Sequence, residues 1–348
     1  MAVIISGSNT RGCNTKKYFN INEAFSNVIL GGVINIPSGN YTISSPLVLG
    51  AHDVTINGNG ATISITNDFS GPIIDYTGVR RSLTNRLNIV TTKRSLAGFI
   101  MGRTPRGDSS GHTFKNCHIQ GNFDLAAIYS FASEGCVYEQ CNFVTHSTSP
   151  CYVSTSIDYS GVVDSSGESR SNTLGWFYNC SFRNYSGLED VPLMKFANTT
   201  SGFSIRDSYA YTGNNGIFID IDGASQGLLL EATRIEGEGQ NSLLLRNSSK
   251  AFLSHAEIRK INYTIPSLNM IESSHHILES NLDLVHGSSA VKYVHMRNSG
   301  KLWRTRISGN KQDWLNLDSG CQIRMCHLTW VNGEPMIDVY DNVVNWTG

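Results

Sequence analysis

Three carboxylates are the first residues in this sequence that could do chemistry. In Ile217-Phe218-Ile219-Asp220-Ile221-Asp222 apolar and polar residues alternate, which is the period of a strand with one face buried. If Ile217, Ile219 and Ile221 point inward, Asp220 and Asp222 share the outward face with Cα atoms about 6.5–7 Å apart. A carboxyl pair separated by about 6.5–9.5 Å suits an inverting glycosidase, one group serving as acid and the other activating water. Matching segments in the flanking repeats place Lys195 beside Asp220 and Arg246 beside Asp222. Asp220 is then the acid, Asp222 the base, and Glu236 the third catalytic candidate. The alternative is a solvated ion-pair ladder, each pair contributing about 0.2–1 kcal/mol.

A second group lies on neighbouring outward columns: Tyr209, Tyr211, Arg234, Glu257 and Arg259. Aromatic faces can stack on sugar rings, while guanidinium and carboxylate groups hydrogen-bond hydroxyls or acidic substituents. These five are the substrate-binding candidates. Cross-strand pairing of Arg234 with Glu257 and of Glu236 with Arg259 is the plainer alternative. Tyr209, Tyr211 or an arginine acting as base would instead make the chain a polysaccharide lyase. No metal or cofactor is expected. The eight cysteines include no Cys-x-x-Cys, and His275 and His276, as strand neighbours, face opposite ways.

These residues need a scaffold, and a repeat supplies it. A bulky apolar residue, a small residue three later and an apolar residue two after that recur as Phe114-Cys117-Ile119, Tyr138-Cys141-Phe143, Phe177-Cys180-Phe182, Ile205-Ser208-Ala210 and Leu230-Thr233-Ile235. The series continues as Leu253-Ala256-Ile258, Ile277-Ser280-Leu282, Leu302-Thr305-Ile307 and Ile323-Cys326-Leu328. Starts are separated by 24, 39, 28, 25, 23, 24, 25 and 21 residues. Alternating segments lie between the copies, so each repeat holds at least two short strands. A fixed period of this size, with several strands per repeat, predicts a parallel β-helix. The small position then forms an interior ladder at a tight bend, where cysteine acts as a small hydrophobe.

Composition narrows the partners. Charged residues make up 16% of 348, with Lys+Arg 27 against Asp+Glu 28, so no cationic footprint for nucleic acid or an anionic membrane is expected. No apolar run reaches the roughly 18 residues of a membrane span. The N-terminus lacks the charged start and apolar core of a secretory signal. Reduced cysteines agree with assembly in a cytoplasm.

Asn20-Ile21-Asn22-Glu23 has capping-box form and precedes Ala24, Phe25, Val28 and Ile29 at helical spacing, predicting a short helix that covers the first coil. After it come Gly31-Gly32-Val33-Ile34-Asn35-Ile36-Pro37-Ser38-Gly39-Asn40-Tyr41 and Val54-Thr55-Ile56-Asn57-Gly58-Asn59-Gly60-Ala61-Thr62-Ile63. This stretch resembles the opening coils of the right-handed parallel β-helix of the pectate-lyase-like superfamily, and most of all those of bacteriophage tailspikes. The resemblance covers residues 20–63 closely and the remaining coils by repeat pattern. It implies a virion-associated protein, assembled in a host cytoplasm, that binds a bacterial surface polysaccharide. It further implies a homotrimer; because neither a head-binding domain nor a trimerising β-sandwich is expected around the coils, which departs from tailspikes, either another tail or baseplate protein attaches the chain or it is a component with a different role. Outward apolar residues such as Phe218 and Leu244 agree with a covered face.

The superfamily's better-known catalytic motifs do not carry over. Gly111-His112-Thr113 breaks a Gly-His-Gly, no Asp-Asp pair occurs, and Arg103-Thr104-Pro105-Arg106 only faintly matches a lyase arginine motif. Depolymerisation of the glycan, by a glycosidase ahead of a lyase, and a non-catalytic structural or receptor-binding role therefore both stay open. The expected organisation is one all-β domain over 1–348: an N-terminal segment and capping helix to about residue 30, then coils over 31–348. Loop insertions are expected near 66–111, which is rich in arginine, and near 145–173.

Overall fold

The computed structural model describes residues 3–235 apart from 10–11, 104–106, 108, 147, 156–172, 186–190, 198–200, 213–216 and 223–227. For 3–9, 12–15, 173, 201, 212, 217–218, 222 and the strands beyond 235 it gives the backbone alone. The chain divides into two compact units, Met1–Ser181 and Phe182–Gly348. Each is a parallel β-solenoid, in which short strands return to the same ladder coil after coil.

In the first unit one ladder runs Ile34–Ile56–Thr84–Phe114–Tyr138–Phe177, each residue laterally paired with the next. These side chains are buried, and the last three stack. The Phe114 and Tyr138 rings lie 5.2 Å apart, and those of Tyr138 and Phe177 4.5 Å apart, both pairs inclined by 8°. A second ladder runs Ile63–Ile89–Ile119–Phe143, also buried. Strand alternation therefore turns the residues between these rungs outward.

The bend between the two ladders explains the small-residue column. The residue before it adopts a left-handed backbone: Arg86, Asn116, Gln140 and Asn179 have φ of 51–54°. The small residue then donates to carbonyls that the bend exposes. Cys117 Sγ reaches Thr84 O at 3.6 Å and Lys115 O at 3.4 Å. Cys141 Sγ reaches Phe114 O and Glu139 O, both at 3.4 Å, and Cys180 Sγ reaches Tyr138 O at 3.4 Å. The ladder is interior, as expected, and its thiols are hydrogen-bond donors as well as small apolar groups.

The capping helix is Ile21–Ser26, with Asn20 Oδ1 accepting the Asn22 N–H at 2.9 Å. Ile21, Ala24 and Phe25 are buried on it. It ends a turn sooner than the sequence predicts, leaving Ile29 exposed. Gly50 donates its N–H to Phe25 O at 3.0 Å. A Cβ at this glycine would sit 2.5 Å from Ser26 O, so no other residue fits there. The sequence did not reveal the preceding hairpin, Val3–Asn9 against Gly12–Tyr18, whose first strand pairs antiparallel with Val33–Asn35 and covers that edge.

Residues 66–111 are not a plain loop insertion. They contain strand Leu83–Gly102, which pairs in parallel with Thr55–Ile65 and His118–Phe131 and supplies a coil of its own. Arg81 in this stretch forks onto Asp53 at 2.6 and 2.8 Å, and Arg94 pairs with Asp124. Within 145–173, strand Tyr152–Thr155 continues the ladder of Ile128–Phe131, with Cys151 and Tyr152 buried. Residues 156–172 of this stretch, with Tyr159 and Asp164 in its serine-rich part, lie outside the described residues.

In the second unit a ladder runs Phe203–Leu228–Ala251–Ile277–Leu302–Ile323. Here the register departs from the repeat alignment. Ala251, not Leu253, lies beside Ile277, and Ala256 lies beside Leu282 rather than Ser280. The slip is two residues, which keeps every side chain on its own face. Antiparallel strands close the end: Ile337–Val339 against Cys326–Trp330 and Val344–Asn345 against Gln322–Arg324. Among the described residues no helix is long and apolar enough to cross a membrane.

Candidate functional site

The binding candidates come together on one sheet of the second unit. Ala210 and Ile235 are buried, which turns Tyr209, Tyr211 and Arg234 outward, each half-buried. Backbone register places Tyr209, Arg234 and Glu257 in one row and Tyr211, Glu236 and Arg259 in the next. Five binding candidates and one catalytic candidate thus share two adjacent rows. The side chains of Glu236, Glu257 and Arg259 lie outside the described residues.

Two further residues complete the surface. The Arg183 guanidinium sits 5.8 Å from the centre of the Tyr209 ring, a cation–π contact. The Tyr185 ring lies 6.0 Å from that of Tyr211, at 44°. Tyr185 is 49% exposed. On the preceding ladder, Arg206 pairs with Glu231 at 3.0 Å. The result is a tyrosine surface with the Arg183 side chain against it and Arg234 beside Tyr209 in the row. Arg183 was legible from strand parity in Phe177-Cys180-Phe182. Tyr185 follows the end of its strand, Ser181–Asn184, beyond the reach of a parity argument.

Asp220 and Asp222 sit elsewhere. Their strand, Ile217–Asp222, pairs with Pro192–Ala197 and Leu243–Arg246, whereas Glu236 belongs to the ladder of Tyr209–Thr212 and Ala256–Asn262. The three catalytic candidates are therefore split between two ladders. Lateral neighbours are as expected, Lys195 beside Asp220 and Arg246 beside Asp222. Ile219 and Ile221 are buried, but so is Asp220, at 6% exposure. The outward face of this strand is thus covered at Asp220. The Asp222 side chain, like those of Phe218 and Leu244, lies outside the described residues.

One buried cluster has the composition of a nucleophile and its base. Ser82 Oγ lies 2.7 Å from His112 Nδ1, and Ser109 Oγ lies 2.9 Å from His112 Nε2 and donates to Tyr76 O at 3.0 Å. A consistent proton order has Ser82 donating to Nδ1 and Nε2–H donating to Ser109. Burial lowers the His112 pKa to about 4, with a backbone bond at Val79 opposing the shift. All three side chains are inside the solenoid, beyond reach of a polymer, so the cluster is a core network. The histidine of Gly111-His112-Thr113 is structural.

Neither a family model nor a curated protein matches this chain. Among solved structures it is similar to PfbA, a surface adhesin of Streptococcus pneumoniae, with a TM-score of 0.55 and 11% identity over 85% of this chain and 80% of that one. It also aligns with the catalytic domain of a GH87 alpha-1,3-glucanase in complex with nigerose, at a TM-score of 0.45 and 13% identity, over 83% of this chain and 63% of that one. At these identities the likeness to the adhesin establishes the fold: the chain is a parallel β-solenoid.

Proposed function

We propose that this protein binds a polysaccharide, and that the surface formed by Tyr185, Tyr211, Tyr209, Arg183 and Arg234 is where it does so. The observation that carries the proposal is the exposed Tyr185 ring beside Tyr211. It is an amphipathic aromatic pair on a rigid sheet, with charged hydrogen-bonding groups along its edge. Such surfaces fix a ligand with a few polar contacts around an apolar centre. The resemblance of residues 20–63 to tailspikes makes a bacterial surface glycan the favoured ligand and a virion appendage the favoured setting, with attachment through other tail proteins. A homotrimer belongs to the same reading and is checked by sedimentation equilibrium.

The test is retention of the purified chain on capsular and O-antigen polysaccharides. Tyr185→Ala and Tyr211→Ala should each weaken binding by about tenfold or more, equivalent to about 1.4 kcal/mol, with unchanged thermal unfolding. Equal retention of both variants and the parent would overturn this assignment. Release of oligosaccharides separates a depolymerase from a docking protein, and unsaturated products separate a lyase from a hydrolase.

A further inference from the structure

The first unit carries a second surface of different chemistry. On the strands whose inward rungs are Ile63, Ile89, Ile119 and Phe143, the outward row reads Asn40–Thr62–Asn88–His118–Asn142, each laterally paired with the next. The row beside it contains Thr42 paired with Ser64, and Gln120 between Val90 and Val144. Apart from the two valines every side chain is an amide, hydroxyl or imidazole, and none is a carboxylate, ammonium or guanidinium. Among the charges bordering these rows, Lys115 meets Glu139 at 2.8 Å, Arg81 meets Asp53 and Arg94 pairs with Asp124, while Arg86 and Lys93 stand exposed on strand Leu83–Gly102.

The polar groups are also ordered. Asn142 Nδ2 donates to His118 Nδ1 at 2.8 Å, His118 Nε2 then donates to Gln120 Oε1 at 3.1 Å, and Gln120 Nε2 meets His146 Nε2 at 3.0 Å. Thr42 and Ser64 hydroxyls are 3.4 Å apart, and Asn88 Nδ2 donates to Gly60 O at 3.3 Å. Asn40 and Thr42 are exposed and Thr62, Ser64, Asn88 and Gln120 half-buried, so polar side chains recur about every 4.8 Å along the solenoid.

We infer that this face is a second glycan-binding surface, specific for an uncharged polysaccharide laid along the coils. The inference deepens the polysaccharide reading above and rests on it. The two rows contain no lysine or arginine to neutralise a uronate or phosphate, so their complement is a neutral polyhydroxylated chain. The centre of a protein–protein interface is depleted in polar groups, whereas here Val90 is the one large apolar side chain left exposed in the two rows. A translational ladder of weak hydrogen-bonding groups matches a ligand that is itself a repeat, where many small contacts add through effective concentration.

The experiment uses the full chain and affinity electrophoresis through gels containing mannan, dextran, galactan or alginate, at low and at high salt. The expected result is retention by at least one neutral polymer, insensitive to salt because no charge is screened. The double variant Asn88→Asp, Gln120→Glu keeps side-chain size and adds two charges, and should weaken that retention by about tenfold or more. Asn88→Ala, Gln120→Ala should weaken it in the same direction without adding charge, and thermal unfolding of both variants confirms that they fold. Failure of every neutral gel to retain the parent overturns the inference, as does full retention of both double variants. Retention on alginate alone, lost in Tyr185→Ala, overturns it while leaving the tyrosine surface standing. A change of sedimentation with no change in retention assigns the face to self-association, which also overturns it.

Discussion

The thiol of Cys141 shows how much a single small side chain does in this fold. It is buried, it donates to Phe114 O in the preceding coil and to Glu139 O in its own, and burial raises its pKa, so it stays a thiol. Serine can make the same two bonds, and Ser208 and Thr233 occupy the equivalent position in the second unit, donating to Arg206 O at 2.7 Å and to Ile205 O at 3.3 Å. Cys141→Ser should therefore change urea-unfolding stability by about 1 kcal/mol or less. Cys141→Arg places an unpaired charge inside the solenoid and should leave no soluble protein; recovery of native-like Cys141→Arg would refute the interior register. His112 is the titrating counterpart. Its folded pKa of about 4 lies below the ordinary value near 6.5, so the fold favours the neutral ring. Its contribution is fully present above pH 6.5 and declines as pH falls toward 4. By linkage about 3 kcal/mol is lost by pH 4 from this group alone. Denaturant midpoints measured across that window should fall for the parent and stay flatter, from a lower starting value, for His112→Asn.

At the scale of the element, the bend decides which residues are tolerated. Gln140 has φ of 54°, a region that β-branched side chains avoid. Gln140→Val should cost about 1–3 kcal/mol, whereas Gln140→Asn should be close to neutral, since asparagine already holds the same position at 116 and 179. Urea unfolding of the two variants gives the comparison. These bends also explain what the sequence could and could not disclose. Coils containing Phe114-Cys117-Ile119 or Tyr138-Cys141-Phe143 announce themselves, because a bulky, a small and an apolar residue fill three distinct interior sites. The coil at Thr84-Leu87-Ile89 occupies the same ladders, yet it has a polar residue at the bulky site and leucine at the small one. A pattern search passes over it, and 66–111 reads as an insertion. The two-residue slip at Ile277 arises similarly: Ser280 matches the small site by type, while strand pairing follows the apolar rungs. Tyr209, Tyr211 and Arg234 were legible because parity alone turns them outward. The approach of Tyr185 to Tyr211 depends on a turn outside the strand and was not.

Over the whole molecule, the carboxylates decide whether the solenoid cuts a glycan or only holds it. Strand Ile217–Asp222 fixes the spacing of Asp220 and Asp222 by its pleat, in favour of a paired acid and base. Against this stands the burial of Asp220 at 6% exposure, together with the placement of the tyrosine surface on another ladder. A catalytic pair must meet the bond that the binding surface presents, and Glu236 is the candidate whose strand lies in the same rows as Tyr211. The two arrangements predict different outcomes. If the Asp pair is catalytic, Asp220→Asn and Asp222→Asn should each lower oligosaccharide release by about 100-fold or more, with retention on the same polymer unchanged. If Glu236 acts from the tyrosine surface, Glu236→Gln should produce that loss and the two Asp variants should cleave as the parent does. A parent that is retained by glycan yet releases no oligosaccharide from any polymer it binds would make all three residues structural and leave the solenoid a docking protein. Measuring release and retention on one substrate for the four proteins distinguishes these cases, because a residue needed for folding lowers both readouts and a residue needed for chemistry lowers one.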